Sequence, residues 1–293
     1  MLWYQIHIED CPKNRVDGLT DALENLGALS VTYDDQYDSP ILEPLPGETP
    51  LWDKVKITAL FDDEQKALLS LTVLQQTYTS YKIYSNTLAD EDWTRKWMDD
   101  FKPQCFGKNL WICPSWLTPP EPSATNIILD PGLAFGTGNH ATTSLCLQWL
   151  DGADLAHKSI IDYGCGSGIL AIAALKLGAS HAYALDIDEQ ALIATRNNAQ
   201  SNHIEASQLT VNFPEAQNEK ADVIIANILL GPLMSLSTRF HELLNTNGML
   251  VVSGLLAEQV PTLIAHVEPL FKHVSTQTQE DWALVVFSAS SRA

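Results

Sequence analysis

A glycine-rich segment with an acidic residue at its start is the first feature of this sequence that could do chemistry. Residues 162–168 read DYGCGSG, directly after an apolar run and directly before an apolar helical pattern. Three glycines leave the backbone N–H groups of this segment open to a ligand: Gly164, Gly166 and Gly168. Asp162 can accept a hydrogen bond from a cationic ligand group or hold the loop in shape. Asp186 ends the next predicted strand, where a carboxylate can bind both hydroxyls of a ribose.

Two kinds of nucleoside ligand suit such a loop. The residues from Gly166 to Ala171 also read GxGxxA, which is typical of dinucleotide sites. A dinucleotide places its pyrophosphate at a helix N-terminus, whereas S-adenosylmethionine has no phosphate and carries an ammonium, a carboxylate and a sulfonium. The acidic start favours S-adenosylmethionine as the cofactor. An NAD-dependent oxidoreductase is the alternative from another enzyme class.

Two further segments contain candidate site residues. Residues 129–143 read LDPGLAFGTGNHATT, and we expect Phe135 and Gly136 to form a wall beside the ligand, with Thr143 hydrogen-bonding its amino-acid end. A plain glycine-rich turn with a helix cap is the alternative. Asn227 lies in the segment ANILLGP, directly after the fourth strand of the C-terminal half. In a parallel α/β sheet this position lies at the carboxyl edge, where ligands bind.

The secondary structure that must position these residues changes in character along the chain. From about residue 130 strands and helices alternate, which predicts an α/β fold with a doubly wound parallel sheet. The last two strands, separated by a short turn near Asp281, predict an antiparallel hairpin, whereas a dehydrogenase sheet would continue with a parallel strand. The terminal hairpin therefore also favours an enzyme that uses S-adenosylmethionine, a methyltransferase, over a dehydrogenase.

The N-terminal part follows another pattern. Its predicted order is strand, helix, strand, strand, helix, strand, the ferredoxin-like α+β arrangement, and we interpret it as a substrate-recognition domain. We expect three segments: residues 1–85 for recognition, residues 86–128 as a linker helix and connecting strand, and residues 129–293 as the catalytic domain. Aromatic residues spaced four apart predict one face of the linker helix that packs between domains: Trp93, Trp97 and Phe101.

Charge and composition limit the classes of partner. The 36 acidic and 17 basic residues give a formal net charge of −19, which disfavours nucleic acid and favours basic partners, although acidity alone also keeps a protein soluble. No apolar stretch approaches the roughly 20 residues that cross a bilayer, and the first residues lack the pattern of a signal peptide. The five cysteines include no CxxC pair, so we expect buried or partly buried thiols and no metal site. We expect a cytoplasmic monomer.

The segments LDPGLAFGTG, DYGCGSG and ANILLGP together resemble the bacterial PrmA family, which methylates ribosomal protein L11 of the large subunit. The likeness covers nearly the whole chain, and LDPGLAFGTG is its most specific part. The resemblance implies S-adenosylmethionine as the donor, an N-terminal domain that docks the ribosomal protein, and methylation of lysine side chains and of the N-terminal α-amine. The donor-contacting residues that it implies are Thr143, Gly164, Asp186 and Asn227.

Methyl transfer from a sulfonium to an amine needs alignment and a neutral nitrogen more than it needs a strong base. We expect the Asn227 side chain to act in catalysis by accepting a hydrogen bond from the target amine and directing its lone pair. His140 is expected to have a structural role, and Cys165 to pack. Besides the oxidoreductase, three alternatives remain open: the same chemistry on a small molecule or another protein, methylation of nucleic acid, and a module that binds the donor without turnover.

Overall fold

The computed structural model describes residues 2–37, 49–89, 101–130 and 140–290. The chain divides into two units, Met1–Met98 and Asp99–Ala293. The boundary falls inside the predicted linker, residues 86–128; the three-part division itself stays a prediction. Most of the predicted linker helix lies outside the described residues, with Trp93 and Trp97. No helix among the described residues is long and apolar enough to cross a membrane.

The first unit is a four-stranded antiparallel sheet backed by two helices. Its elements are β1 (Leu2–Pro12), α1 (Val16–Asn25), β2 (Ser30–Asp35), β3 (Lys54–Phe61), α2 (Glu64–Thr77) and β4 (Lys82–Ala89). The strand order is β2-β3-β1-β4. In β3 every second residue is buried, which is the pattern of a strand with one face on a core. The predicted ferredoxin-like arrangement is confirmed.

The second unit begins with a small sheet and continues into the large one. The small sheet holds β5 (Gln104–Phe106), β6 (Leu110–Cys113) and β7 (Thr125–Ile128). The large sheet holds β8 (Ser159–Tyr163), β9 (His181–Leu185), β10 (Leu209–Asn212), β11 (Ala221–Asn227), β12 (Leu244–Leu256), β13 (Phe271–Gln279) and β14 (Trp282–Ala289). Strand β5 was not predicted, because three residues carry too little periodicity to identify a strand.

The large sheet has the strand order β10-β9-β8-β11-β12-β14-β13. Its first five strands are parallel, whereas β14 runs antiparallel to β12 and to β13. The doubly wound sheet and its antiparallel C-terminal hairpin are therefore confirmed. The chain order reverses between β8 and β11, and such a reversal opens a crevice at the carboxyl ends of the two strands.

Helices cover both faces of the large sheet. One face packs against α3 (Ala141–Gly152), α4 (Ile169–Lys176) and α5 (Glu189–Ser201). The other packs against α6 (Leu230–Ser235), α7 (Ser237–Leu243) and α8 (Val260–Val267). Burial on both faces explains why β8 and β11 read as continuous apolar runs.

One predicted helix is broken in the structure. The apolar pattern after Pro232 predicts a single helix to Leu244, whereas α6 ends at Ser235 and α7 begins at Ser237. The hydroxyl of Ser235 donates to the carbonyl oxygen of Pro232 at 3.0 Å, and the N–H of Leu236 donates to the same oxygen. The N–H of Phe240 in turn donates to the carbonyl oxygen of Leu236 at 2.9 Å. The interruption is therefore confined to Leu236, whose backbone angles of φ −90° and ψ −2° depart from those of a regular helix.

Candidate functional site

A cavity of about 350 Å³ opens at the carboxyl ends of β8, β9 and β11, within the usual size range of small-molecule sites. It lies at the crevice where the order of the strands reverses. Its lining comprises Thr143, Tyr163, Gly164, Cys165, Gly166, Ile169, Leu170, Asp186, Ile187, Pro214, Asn227, Ile228, Pro232 and Leu236. None of these described lining residues is Lys or Arg, the cationic side chains that commonly pair with a phosphate.

The glycine loop between β8 and α4 can be built only with glycine at its key positions. Gly164, Gly166 and Gly168 have φ values of +81°, +52° and +78°, in the left-handed region. A Cβ atom on Gly168 would lie 2.7 Å from the Cγ2 atom of Thr195. The loop therefore packs closely on α5 while its backbone forms one wall of the cavity.

Asp186 holds the loop and faces the cavity at the same time. Its Oδ2 atom accepts a hydrogen bond from the N–H of Gly166 at 2.9 Å, and its Oδ1 atom accepts one from the N–H of Asp188 at 3.0 Å. Each carboxylate oxygen can accept a second hydrogen bond. The side chain is thus fixed in place with acceptor capacity left for the two hydroxyls of a ribose.

Asp162 lies beneath the loop rather than in the wall of the cavity. Its Oδ2 atom accepts a hydrogen bond from the N–H of Ala171 in the first turn of α4, and its buried Oδ1 atom has no hydrogen-bond partner. Burial, assisted by the negative charge of Asp186, raises the pKa of Asp162 to about 7. Of the two roles predicted for this carboxyl group, the structure supports that of holding the loop in shape.

Asn227 and Thr143 are brought together from distant parts of the chain. The Nδ2 atom of Asn227, at the end of β11, donates to Thr143 Oγ1 at 3.2 Å. Thr143 lies in the first turn of α3 and is only 1% exposed. Because the amide nitrogen faces Thr143, the amide oxygen is directed away from it and can accept a hydrogen bond from another N–H group.

Sequence reasoning missed the apolar walls of the cavity. The structure adds eight apolar or aromatic residues to the predicted ones: Tyr163, Ile169, Leu170, Ile187, Pro214, Ile228, Pro232 and Leu236. Ile187 is 82% exposed and also lines the cavity, so its side chain is accessible to a bound ligand. It directly follows Asp186, so a nucleoside held there by its ribose would bring its base near this side chain. In the sequence, a long apolar residue directly after a carboxylate at a strand end could have indicated this wall of the cavity.

Helix α5 supports the glycine loop from behind, and this role was also missed. Thr195 Oγ1 donates to the carbonyl oxygen of Gly166 at 3.1 Å, and Asn198 Nδ2 donates to that of Ser167 at 2.8 Å. The two side chains are three residues apart and so share one face of the helix. They satisfy backbone acceptors that the tight loop cannot pair within itself.

His140 and Cys165 have the structural surroundings that we expected. His140 is the N-cap of α3: its Nδ1 atom accepts from the N–H of Thr142 at 3.3 Å, and its ring packs edge-on against Trp282. The thiol of Cys165 lies 3.3 Å from Thr195 Oγ1, and burial raises the pKa of this thiol. A thiol with a raised pKa stays protonated and is a poor nucleophile.

The predicted site residues fall into three groups. Those that line the cavity are Thr143, Gly164, Gly166, Asp186 and Asn227. Asp162 and Gly168 are not among the lining residues and shape the loop from below. Phe135 and Gly136 lie outside the described residues. No cluster of metal-binding side chains occurs in the part of the chain that the structure describes.

The cavity fits a cationic nucleoside better than a dinucleotide. The carboxylate of Asp186 suits a ribose, and apolar side chains surround the space beside it. The carboxyl group of Asp162 already occupies the N–H of Ala171, one of the helix N-terminal donors that a pyrophosphate would need. These features match S-adenosylmethionine, which needs a partner for its ribose but no partner for a phosphate.

The fold and the cavity define a class I methyltransferase that uses S-adenosylmethionine as its methyl donor. Comparison with known proteins identifies the family within this class. Residues 2–290 match the family of ribosomal protein L11 methyltransferases (PrmA), and the chain belongs to this family. The resemblance noted in the sequence is thereby confirmed.

Two curated relatives cover nearly the whole chain, and a solved structure covers about two thirds of it. A ribosomal protein L11 methyltransferase of Legionella pneumophila subsp. pneumophila is 55% identical over 288 residues, which is 98% of this chain and 100% of the relative. One of Mannheimia succiniciproducens is 47% identical over 291 residues, or 97% of this chain and 98% of the relative. A crystal structure of a ribosomal protein L11 methylase from Lactobacillus delbrueckii subsp. bulgaricus is 32% identical, with a TM-score of 0.60, over 65% of this chain and 100% of that one.

Proposed function

We propose that this enzyme methylates ribosomal protein L11, at lysine side-chain amines and at the N-terminal α-amine. The names of its relatives support L11 as the substrate. The observation that carries the choice of an amine is the position of Asn227, whose amide nitrogen is held by Thr143 while its amide oxygen is directed away. An amide oxygen at the edge of the donor cavity is suited to accept an N–H from a neutral amine.

The chain's own residues would prepare the nitrogen for attack. When bound, S-adenosylmethionine supplies a methyl carbon that an amine can displace directly from sulfur. A lysine amine has a reference pKa of about 10.4 and is mostly protonated in water. Entry among the apolar walls formed by Ile228, Pro232 and Leu236 disfavours the ammonium form and favours loss of its proton to solvent. The Asn227 oxygen then fixes one N–H, which aims the lone pair.

The nature of the partner follows from charge. The net charge of −19 supports a basic protein as the substrate and argues against direct binding of nucleic acid. We propose that the enzyme acts in the cytoplasm as a monomer, and light scattering can check its mass in solution.

The test is transfer of a labelled methyl group. The purified enzyme is incubated with labelled donor and three forms of L11: unmodified, N-terminally acetylated, and with its lysines replaced by arginine. The proposal predicts label on unmodified L11, and a partial loss of label in each altered form. Mass spectrometry of peptides identifies the labelled nitrogen. Absence of label on L11, with label on RNA or on a small amine in parallel reactions, would contradict the proposal.

A further inference from the structure

We propose that Gly254 is a positioning residue for methyl transfer, because it fixes the peptide that follows Asn227; this inference rests on the proposed function. Gly254 lies in β12 at a φ of +87°, where the pairing of β12 with β14 shifts register between Val252 and Leu255. A glycine inside a strand commonly marks such a bulge or a close approach of two backbones. Here both occur together.

The close approach is to Ile228. A Cβ atom on Gly254 would lie 2.5 Å from the carbonyl oxygen of Ile228, 2.8 Å from its carbonyl carbon and 2.9 Å from its nitrogen. All three are backbone atoms, which cannot turn aside as the end of a flexible side chain can. Any side chain at position 254 would therefore have to displace the Ile228 peptide.

A second glycine, Gly164 in the loop after β8, approaches the side chain of Ile228. A Cβ atom on Gly164 would lie 2.5 Å from the Cγ2 atom of Ile228. The side chain of Ile228 is thus limited by the glycine loop, while its backbone is limited by β12. Both glycines leave only enough room for the observed path of the chain after β11.

This confinement matters because Ile228 is bonded directly to Asn227, and both line the cavity. In the register of β11 and β12, Asn227 lies opposite Ser253, the residue before Gly254. A shift of the Ile228 peptide would tilt the Asn227 side chain away from Thr143 and from the amine. Misplacement of a reacting group by about 1 Å can cost about 10²-fold in rate.

The test compares Gly254→Ala with Gly178→Ala. Gly178 also has a positive φ, +108°, but its Cβ would meet only the Cα atom of Ala156 at 3.9 Å, an ordinary contact. Both variants carry left-handed strain at alanine, so both are expected to lose thermal stability. Only Gly254→Ala is expected to lose turnover, by about 10²-fold, while calorimetry shows a much smaller change in donor affinity. Equal turnover of the two variants would overturn the proposal.

A double-variant cycle with Asn227→Ala tests the route of the effect. If Gly254 acts through Asn227, Gly254→Ala costs little further turnover once Asn227 is alanine. Multiplied losses would show that Gly254 acts elsewhere and would overturn the inference. Should Gly254→Ala not fold, Gly254→Asn carries less left-handed strain while its Cβ still meets the Ile228 backbone, and the same non-additive loss is expected. Failure of the wild-type enzyme to methylate L11 would instead contradict the proposed function. The inference about Gly254 could still be tested in that case, because the ratio of turnover between variants can be measured on any amine that the enzyme accepts.

Discussion

Asn227 and Thr143 are 84 residues apart in the sequence, yet their side chains share a hydrogen bond of 3.2 Å. Asn227 is the last residue of β11 and Thr143 lies in the first turn of α3, and both of these element ends lie at the crevice. Thr143 therefore fixes the rotation of the Asn227 amide, and this rotation determines which of its atoms meets the substrate.

Replacing Asn227 by alanine tests this role. Turnover is expected to fall by about 10²-fold or more, because an oriented acceptor for the amine is lost, and donor affinity is expected to change much less. Steady-state kinetics and calorimetry measure the two effects separately. Asn245→Ala is the matched control: its side chain bonds Asp222 at the other end of β11, so turnover is expected to stay at the wild-type value. Full activity of Asn227→Ala would remove this residue from the mechanism.

Asp186→Ala is expected to act on donor binding instead. The variant removes the carboxylate that is proposed to accept from the ribose, and it also releases the N–H of Gly166. We expect the dissociation constant of the donor, measured by calorimetry, to rise about tenfold or more, since hydrogen bonds to charged groups contribute about 1.5–3 kcal/mol. Glu189→Ala makes the same change in net charge outside the cavity lining and serves as the control. Equal affinities in the two variants would show that the ribose assignment is wrong.

Local motifs explain which site residues the sequence could predict. Gly164 and Asp186 directly follow a strand and Asn227 is the last residue of one, and strand ends can be located from an apolar run. Ile187, Pro214 and Leu236 could not be placed in this way. Their role depends on which apolar side chains turn toward the crevice rather than toward a core, and that is decided by the packing of the whole unit.

Helix α4 shows how an element and a site residue depend on each other. Its N-cap is Gly168 in the left-handed conformation, which offers no side chain to the free N–H groups of the first turn. Asp162, reaching up from β8, satisfies the N–H of Ala171 instead. The carboxyl group thus couples the strand, the loop and the helix, although burial is unfavourable for its charge.

The raised pKa of Asp162 predicts a pH dependence of stability. Its pKa is about 7 in the folded protein and about 3.9 in an unfolded chain. Between these values the folded state binds more protons, so this group makes the protein less stable as the pH rises from about 4 to 7. Asp162→Asn, which keeps an acceptor for Ala171, is expected to gain Tm relative to wild type over that range. Thermal melts of donor-free protein from pH 5 to 8 measure the difference, and a constant difference would contradict the assignment.

The elements themselves were predicted to different degrees. The alternation of strands and helices gave the large sheet and its terminal hairpin, because β8 to β12 each carry an apolar run bounded by turn residues. The break between α6 and α7 could not be predicted, since the apolar pattern continues through Leu236 and no glycine or proline marks that position. Strand β5 is recognisable only by its pairing with β6.

The charge of the whole molecule acts on the reaction in two opposing ways. A net charge of −19 attracts a basic substrate and raises its rate of encounter. The same negative field stabilises the ammonium form of the arriving amine, which cannot attack. The apolar walls of the cavity must oppose this effect locally, so an acidic surface and an apolar cavity have complementary roles in one enzyme.

The most direct test of this account is a crystal structure of the protein with S-adenosylhomocysteine. The account predicts that the nucleoside occupies the cavity at the ends of β8, β9 and β11, with its ribose hydroxyls on the Asp186 carboxylate and its base beside Ile187. The Asn227 amide is expected to remain bonded to Thr143, with its oxygen toward the space left for the amine. A nucleoside bound elsewhere, or a cavity that takes up a pyrophosphate instead, would contradict it.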